Sequence, residues 1–159
     1  MPRVLISDAM DNIAEKILLS NNIEVDVITN FTPDELIKNI NNYDGLIVRS
    51  ATKVTKEVIE NAKNLKVVGR AGAGADNIDI NAAKQKNIIV MNTPGGNTNA
   101  TAEHTLALLL SLSRKISKAD ITTHKGEWAK KNLKGNEIKG KTIGIIGFGN
   151  VGKRFAQIC

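Results

Sequence analysis

The sequence predicts an α/β fold: a doubly wound parallel sheet, followed by a long helix and the opening of a second β-α unit. Three observations carry this prediction. Five short β-branched runs recur, VLIS at 4–7, VDVI at 25–28, GLIVRS at 45–50, KVVGRA at 66–71 and IIVMN at 88–92. Segments whose apolar residues fall at helical spacing lie between them. Near residue 147 an apolar run enters a loop with glycines at 147, 149 and 152, and the next stretch is helical again. Strands that alternate with helices pair in parallel through right-handed crossovers, with helices on both faces of the sheet.

Taken in order, VLIS opens the sheet, and Ile13, Ile17 and Leu18 form the face of the first helix. After VDVI, Thr32 precedes Pro33, Asp34 and Glu35: a hydroxyl cap, a proline at the first helical position and two carboxylates at the positive end of the dipole. Leu36, Ile37 and Ile40 supply that helix with its apolar face. Thr55 caps the next helix, whose face is Val58, Ile59 and Ala62. The strands are nearly uniformly apolar, as buried parallel strands are. Together these units predict a flavodoxin-like domain over residues 1–97, with a second domain over 98–159. The long helix is expected to run unbroken over 98–118, with Glu103 towards its start and Arg114 and Lys115 at its end. From Leu106 to Leu112 it is apolar nearly all the way round, so it must be covered on more than one side, by another domain or another subunit. Residues 119–140, with Trp128 among lysines, read as a loop with some helix. Ile143–Ile146 then read as a sixth strand.

Composition narrows the function classes. Hydrophobic residues make up 42% and charged residues 24%, the balance of a globular chain. The net charge of +6 suits an anionic ligand or a surface of scattered, solvated lysines. Nucleic acid is disfavoured, because one Trp, one Tyr and three Phe leave little to stack on bases. No membrane association is expected: the longest apolar run, LALLL at 106–110, is far too short to span a bilayer. No signal segment is expected ahead of VLISD, and the lone cysteine, Cys159, excludes an intrachain disulfide, so a cytoplasmic, reducing setting is expected. His104 and His124 lack the company of a metal site, and no Ser-His-Asp arrangement is present.

Four loops carry candidate chemistry. In GFGNVG, Gly147 permits a tight turn, Gly149 lets the backbone approach a pyrophosphate and Gly152 lets helix and strand pack closely. The phosphates would rest on unpaired N–H groups at the helix start, although a plain strand–helix turn has the same sequence needs. GRAGAGADNID places Arg70 and a glycine loop after a strand, where open α/β sheets bind ligands. There Arg70 is either an anion ligand or a surface side chain beside a flexible turn. VRSATKVT repeats the arrangement with Arg49, and NTPGGN adds Asn97, which can give and accept hydrogen bonds. Three strand ends on one edge of a parallel sheet, two with arginine, point to an anion site. Lys130 and Lys131 beside Trp128 are a substrate clamp or a solvated charge pair.

Taken together, GLIVRSATKVT, VVGRAGAGADNID, VMNTPGGNTNATAEHTLALLL and GKTIGIIGFGNVG resemble the D-isomer-specific 2-hydroxyacid dehydrogenase family, in particular its 3-phosphoglycerate-oxidising branch. The resemblance runs from VLISD to the last residue. It implies a flavodoxin-like substrate domain, a Rossmann NAD-binding domain that follows the long helix, and a homodimer built around helix 98–118. It further implies oxidation of 3-phosphoglycerate to 3-phosphohydroxypyruvate with NAD, the first step of serine synthesis. Arg49, Arg70 and Asn97 match substrate-contacting positions. Ala73 stands where the family often has a threonine near the nicotinamide, and Asn150 and Val151 match residues over the pyrophosphate. Lys130 falls near an arginine of animal relatives that reaches the partner's substrate, and it keeps the charge without the bidentate fork. The arginine, glutamate and histidine of hydride transfer lie later in a family chain than the first Rossmann helix, so no catalytic residue and no turnover are expected here. The acidic residue that binds the ribose is expected about 20 residues after the glycine loop, past residue 159. The resemblance leaves room for another D-2-hydroxyacid dehydrogenase or for an NAD-sensing, corepressor-like binding module.

Overall fold

In the computed structural model, which describes residues 1–159, the five β-branched runs form five strands: β1 (Arg3–Ile6), β2 (Glu24–Val27), β3 (Gly45–Val48), β4 (Val67–Arg70) and β5 (Ile89–Asn92). All pair in parallel, in the order β2-β1-β3-β4-β5. This is the flavodoxin-like order, whose switch point lies between β1 and β3. The helices between them are α1 (Ile13–Ser20), α2 (Pro33–Asn39), α3 (Lys56–Asn61) and α4 (Ile80–Gln85). They belong to the unit Met1–Gly96; Asn97–Cys159 form a second unit.

Local chemistry sets the helix starts. Thr32 and Glu35 close a reciprocal capping box: the Thr32 N–H donates to Glu35 Oε2 at 2.8 Å, and the Glu35 N–H donates to Thr32 Oγ1 at 3.3 Å. Such a pair satisfies two of the N–H groups that a helix start leaves unpaired. The Thr55 hydroxyl accepts from the Val58 N–H, as its position predicts. The short helix α4 is capped by Asp79, whose carboxylate accepts from the Ala82 N–H at 2.9 Å. Only that acidic cap marks the helix in the sequence.

The register explains the core. Leu5, Leu46 and Val68 are ladder partners across β1, β3 and β4, so they share one sheet face, on which they meet Leu36, Ile40, Val58, Ile59 and Ala83. The alternate row, Ile6, Ile47, Gly69 and Met91, lies on the other face, where Ile6 is buried and Met91 is 57% exposed. Helix α1 packs beside β2 but buries none of its residues; Ile13 and Ile17, expected as its inner face, are exposed.

The second unit contains α5 (Thr98–Arg114), α6 (Ile116–His124), a 3-10 turn (Lys130–Leu133) and α7 (Asn150–Ile158). The helix expected over 98–118 breaks at Lys115, which is left-handed at φ 56°. The Ser113 hydroxyl bonds back to the Leu109 carbonyl, and the Ser113 carbonyl accepts from the Asn136 N–H at 2.9 Å instead of continuing the helical ladder. Back-bonding serines bend helices, and a non-glycine left-handed residue costs roughly 1–2 kcal/mol. The expected sixth strand, Ile143–Ile146, adopts no strand structure. All five strands lie within residues 3–92, so this segment has no strand of its own unit to pair with, and Ile146 stands fully exposed. No helix is long and apolar enough to cross a membrane.

Candidate functional site

Because every strand runs the same way, all the carboxyl ends open on one rim of the sheet. Val48, Arg70 and Asn92 are ladder partners across β3, β4 and β5, so Arg49 and Arg70 leave adjacent strands at that rim. The loop that carries Arg49 is clamped by Asp8, which follows β1 and is only 5% exposed. The Asp8 carboxylate accepts from the Arg49 N–H, from the Thr52 N–H at 3.1 Å and from the Thr52 hydroxyl at 2.7 Å. Burial acts to raise the Asp8 pKa. The Thr52 hydroxyl and the N–H groups of Arg49, Thr52 and Ala51 outweigh it and hold the carboxyl below the usual range. The Asn77 amide donates to the Arg49 and Thr52 carbonyls, tying the β3 loop to the loop after β4. The Arg49 guanidinium donates to the Ala9 carbonyl at 3.0 Å.

Arg70 is set deeper: its side chain is 12% exposed, and it pairs with Asp76, which is 81% exposed. That hydrogen bond holds the Asp76 carboxyl below the usual range. The Arg70 Nε is buried with no partner. Gly72 and Gly74 pass close to the pair: a Cβ at Gly72 would lie 3.4 Å from Nε, and one at Gly74 would lie 3.1 Å from the Asp76 Oδ1. The loop is pinned to β5 by the Thr93 N–H on the Gly72 carbonyl and the Asn92 amide on the Ala73 carbonyl, both at 2.9 Å. Ala73 is exposed on it.

A cavity of about 520 Å³ opens at the β1/β3 end of the rim, lined by Ser7, Asp8, Phe31, Thr52, Lys53 and Val58 among others. Neither Arg49 nor Arg70 lines it. The two remaining predicted substrate residues belong to the second unit. Asn97 caps α5 and is exposed, and its side chain makes no cap bond, so its amide is not committed to the helix. Lys130 is exposed in the 3-10 turn.

The glycine loop differentiates its three glycines. Gly147 is at φ 90°, which a side chain would strain. At Gly152 a Cβ would lie 2.3 Å from the Gly147 carbonyl oxygen, so only hydrogen fits as α7 turns back onto the loop. At Gly149 a Cβ would meet nothing within 4 Å, which leaves the backbone open to a close ligand. Asn150 and Val151 begin α7, whose first N–H groups lack helical partners and favour an anion. This geometry fits a dinucleotide pyrophosphate. Arg154, on the same helix, donates from Nε to the Asn99 side chain of α5 at 2.7 Å, and Phe155 is buried.

Sequence reading missed Asp8, Thr52, Asp76 and Asn77. The available signals were an acid directly after an apolar strand, in VLISD, and the polar run DNID after the glycine loop.

The family model described as D-isomer specific 2-hydroxyacid dehydrogenase, catalytic domain, matches residues 4–152. A D-3-phosphoglycerate dehydrogenase of Archaeoglobus fulgidus is 48% identical over 157 residues, covering 99% of this chain and 30% of that protein. A hydroxypyruvate reductase of Thermotoga maritima is 47% identical over 156 residues, covering 98% of this chain and 51% of that protein. The crystal structure of NAD+-bound 3-phosphoglycerate dehydrogenase from Entamoeba histolytica aligns with a TM-score of 0.77 at 36% identity, covering 99% of this chain and 50% of that one. The chain thus spans between 30% and 51% of the length of these relatives. With a family model matched over nearly all its residues, the chain belongs to the D-isomer-specific 2-hydroxyacid dehydrogenase family.

Proposed function

We propose that these 159 residues are the substrate-anchoring and cofactor-phosphate-binding part of an NAD-linked D-3-phosphoglycerate dehydrogenase, which oxidises 3-phosphoglycerate to 3-phosphohydroxypyruvate in serine synthesis. The observation that carries the reading is the pair of arginines emerging from adjacent parallel strands at one rim. The substrate is a three-carbon acid with a carboxylate at one end and a phosphate at the other. Two guanidinium groups suit such a dianion, since each charge-assisted bond contributes on the order of 1.5–3 kcal/mol. Asn97 supplies a neutral donor and acceptor, and Lys130 a further cation.

NAD accepts a hydride when bound. Gly147, Gly149 and Gly152 with the N–H groups of Asn150 and Val151 would hold its pyrophosphate, and Ala73 would lie near the nicotinamide without offering a hydroxyl. The division of the chain into a substrate domain and the start of a nucleotide domain follows the same reading, as does a homodimer through the exposed apolar residues of α5. A cytoplasmic, reducing setting suits the exposed free thiol of Cys159.

By this reading the chain binds and orients, and hydride and proton transfer belong to residues that family members carry later in their sequences. An NADH absorbance assay with 3-phosphoglycerate is therefore expected to show no turnover by the pure 159-residue protein; activity above blank would refute this. A second reading, a reductase of unphosphorylated hydroxypyruvate, is favoured by the Thermotoga maritima relative. The two separate on titration: 3-phosphoglycerate binding more tightly than glycerate supports the first, and equal affinities support the second.

A further inference from the structure

Arg70 carries more information than its place on the rim. It is a nearly buried cation, and a buried cation without a counter-charge is strongly destabilising. Its counter-charge is Asp76, only six residues along the chain and almost entirely in water. The pair is therefore asymmetric: a nearly buried guanidinium and a solvent-exposed carboxylate. It is also incomplete. Asp76 accepts from one terminal nitrogen, while the Arg70 Nε has no partner. A guanidinium presents its donors in a planar fork that a carboxylate or phosphate fills through two parallel bonds, and one monodentate contact leaves part of that fork unused. Glycine at 72 and 74 keeps side chains off the two positions where a Cβ would come within 3.4 Å of the pair.

We propose that Asp76 is a resident surrogate anion, which occupies the Arg70 seat in the empty protein and is displaced by the carboxylate or phosphate of the incoming substrate. The proposal rests on the reading of Arg70 as a substrate ligand. Substrate capture is then an exchange of one anion for another on a single guanidinium, and no buried charge is left bare at any stage. The incoming group bonds the two terminal nitrogens of the fork at once, whereas Asp76 accepts from one. Asp76 returns to water, where it already has most of its surface. It is thereby a specificity-determining residue: it sets a threshold that only an anion able to engage the fork more fully than a single contact can cross. Asp76 competes, whereas a positioning residue would assist, so the two roles predict opposite signs for its removal.

The test is a titration of 3-phosphoglycerate, and separately of inorganic phosphate, into the 159-residue protein, followed by 15N NMR at the Arg70 Nε–H and the loop amides. Asp76→Asn is expected to tighten the Kd roughly two- to fivefold, the range set by a contact with one exposed partner. Asp76→Ser, which cannot reach as far, should do the same. Glu60→Gln, which removes an equal charge from the exposed side of α3, should leave the Kd unchanged. Unchanged or weaker binding in both Asp76 variants overturns the proposal, because it would make Asp76 neutral or a positioning residue. Equal tightening by Glu60→Gln also overturns it, as a bulk-charge effect. Arg70→Ala separates this from the underlying reading: if it binds as tightly as the wild type, or if the wild type shows no titration, Arg70 is not a substrate ligand and both fall. If Arg70→Ala weakens binding while the Asp76 variants do not tighten it, only the surrogate is lost.

Discussion

Asp8 shows how much a single carboxylate does at this rim. It is buried yet ionised, because the Thr52 hydroxyl and a group of loop N–H donors replace the water it has lost. Its folded pKa lies below its unfolded value, so the stability it contributes is fully present above about pH 4 and is lost as pH falls through the folded pKa. Asp8→Asn is expected to lower unfolding stability in urea by about 2 kcal/mol at pH 7, and to flatten part of the decline in stability on acidification below pH 4. Only part is lost because Asp44 and Asp76 are shifted in the same direction. Arg49 and Arg70 were legible as candidates because arginine directly after an apolar strand is conspicuous. Asp8 and Asn77 were not, since their importance lies in partners 25 to 44 residues away in sequence, which only the closed sheet brings near.

At the scale of elements, sequence was most informative where one residue decides a local bond. Thr32 with Glu35, and Thr55 ahead of Val58, announced their helices because a cap is a matter of a few consecutive residues. It was least informative where an element depends on a distant neighbour. The pattern Ile143–Ile146 is strand-like, but a strand exists only with a partner to receive its hydrogen bonds. The break at Lys115 draws on Asn136 and Gly135 reaching the Ser113 carbonyl, and within residues 98–118 only Ser113 itself hints at it. The glycine loop yields a sharper expectation. Gly152→Ala should both lower the melting temperature and abolish NADH binding, because its methyl group collides with the Gly147 carbonyl. Gly149→Ala should leave melting almost unchanged and still weaken NADH at least tenfold, by filling the space a pyrophosphate needs. Fluorescence titration and a melting curve on both variants check this; equal loss of stability in the two would show that the loop is merely a tight turn.

Across the whole molecule, exposed apolar surface is the feature that calls for partners. Leu108, Leu112 and Ile116 stand out from α5 and α6, and Ile146 and Phe148 from the glycine loop. The proposed homodimer predicts that the protein sediments as a dimer and that Leu112→Glu converts it to a monomer without loss of helix. A monomeric wild type would remove α5 as the interface. The apolar run from Leu106 to Leu112 was legible in the sequence, and Leu108 and Leu112 stand exposed on α5.

The uniform strand direction has a practical corollary. The turns that enter the strands, such as Lys63–Lys66 before β4 and Lys86–Ile88 before β5, lie at the end of the sheet remote from Arg49, Arg70 and the glycine-rich turn that follows Arg70. A dye or affinity handle grafted onto that remote end has solvent-facing lysines for attachment, so it would report on folding while leaving ligand capture undisturbed.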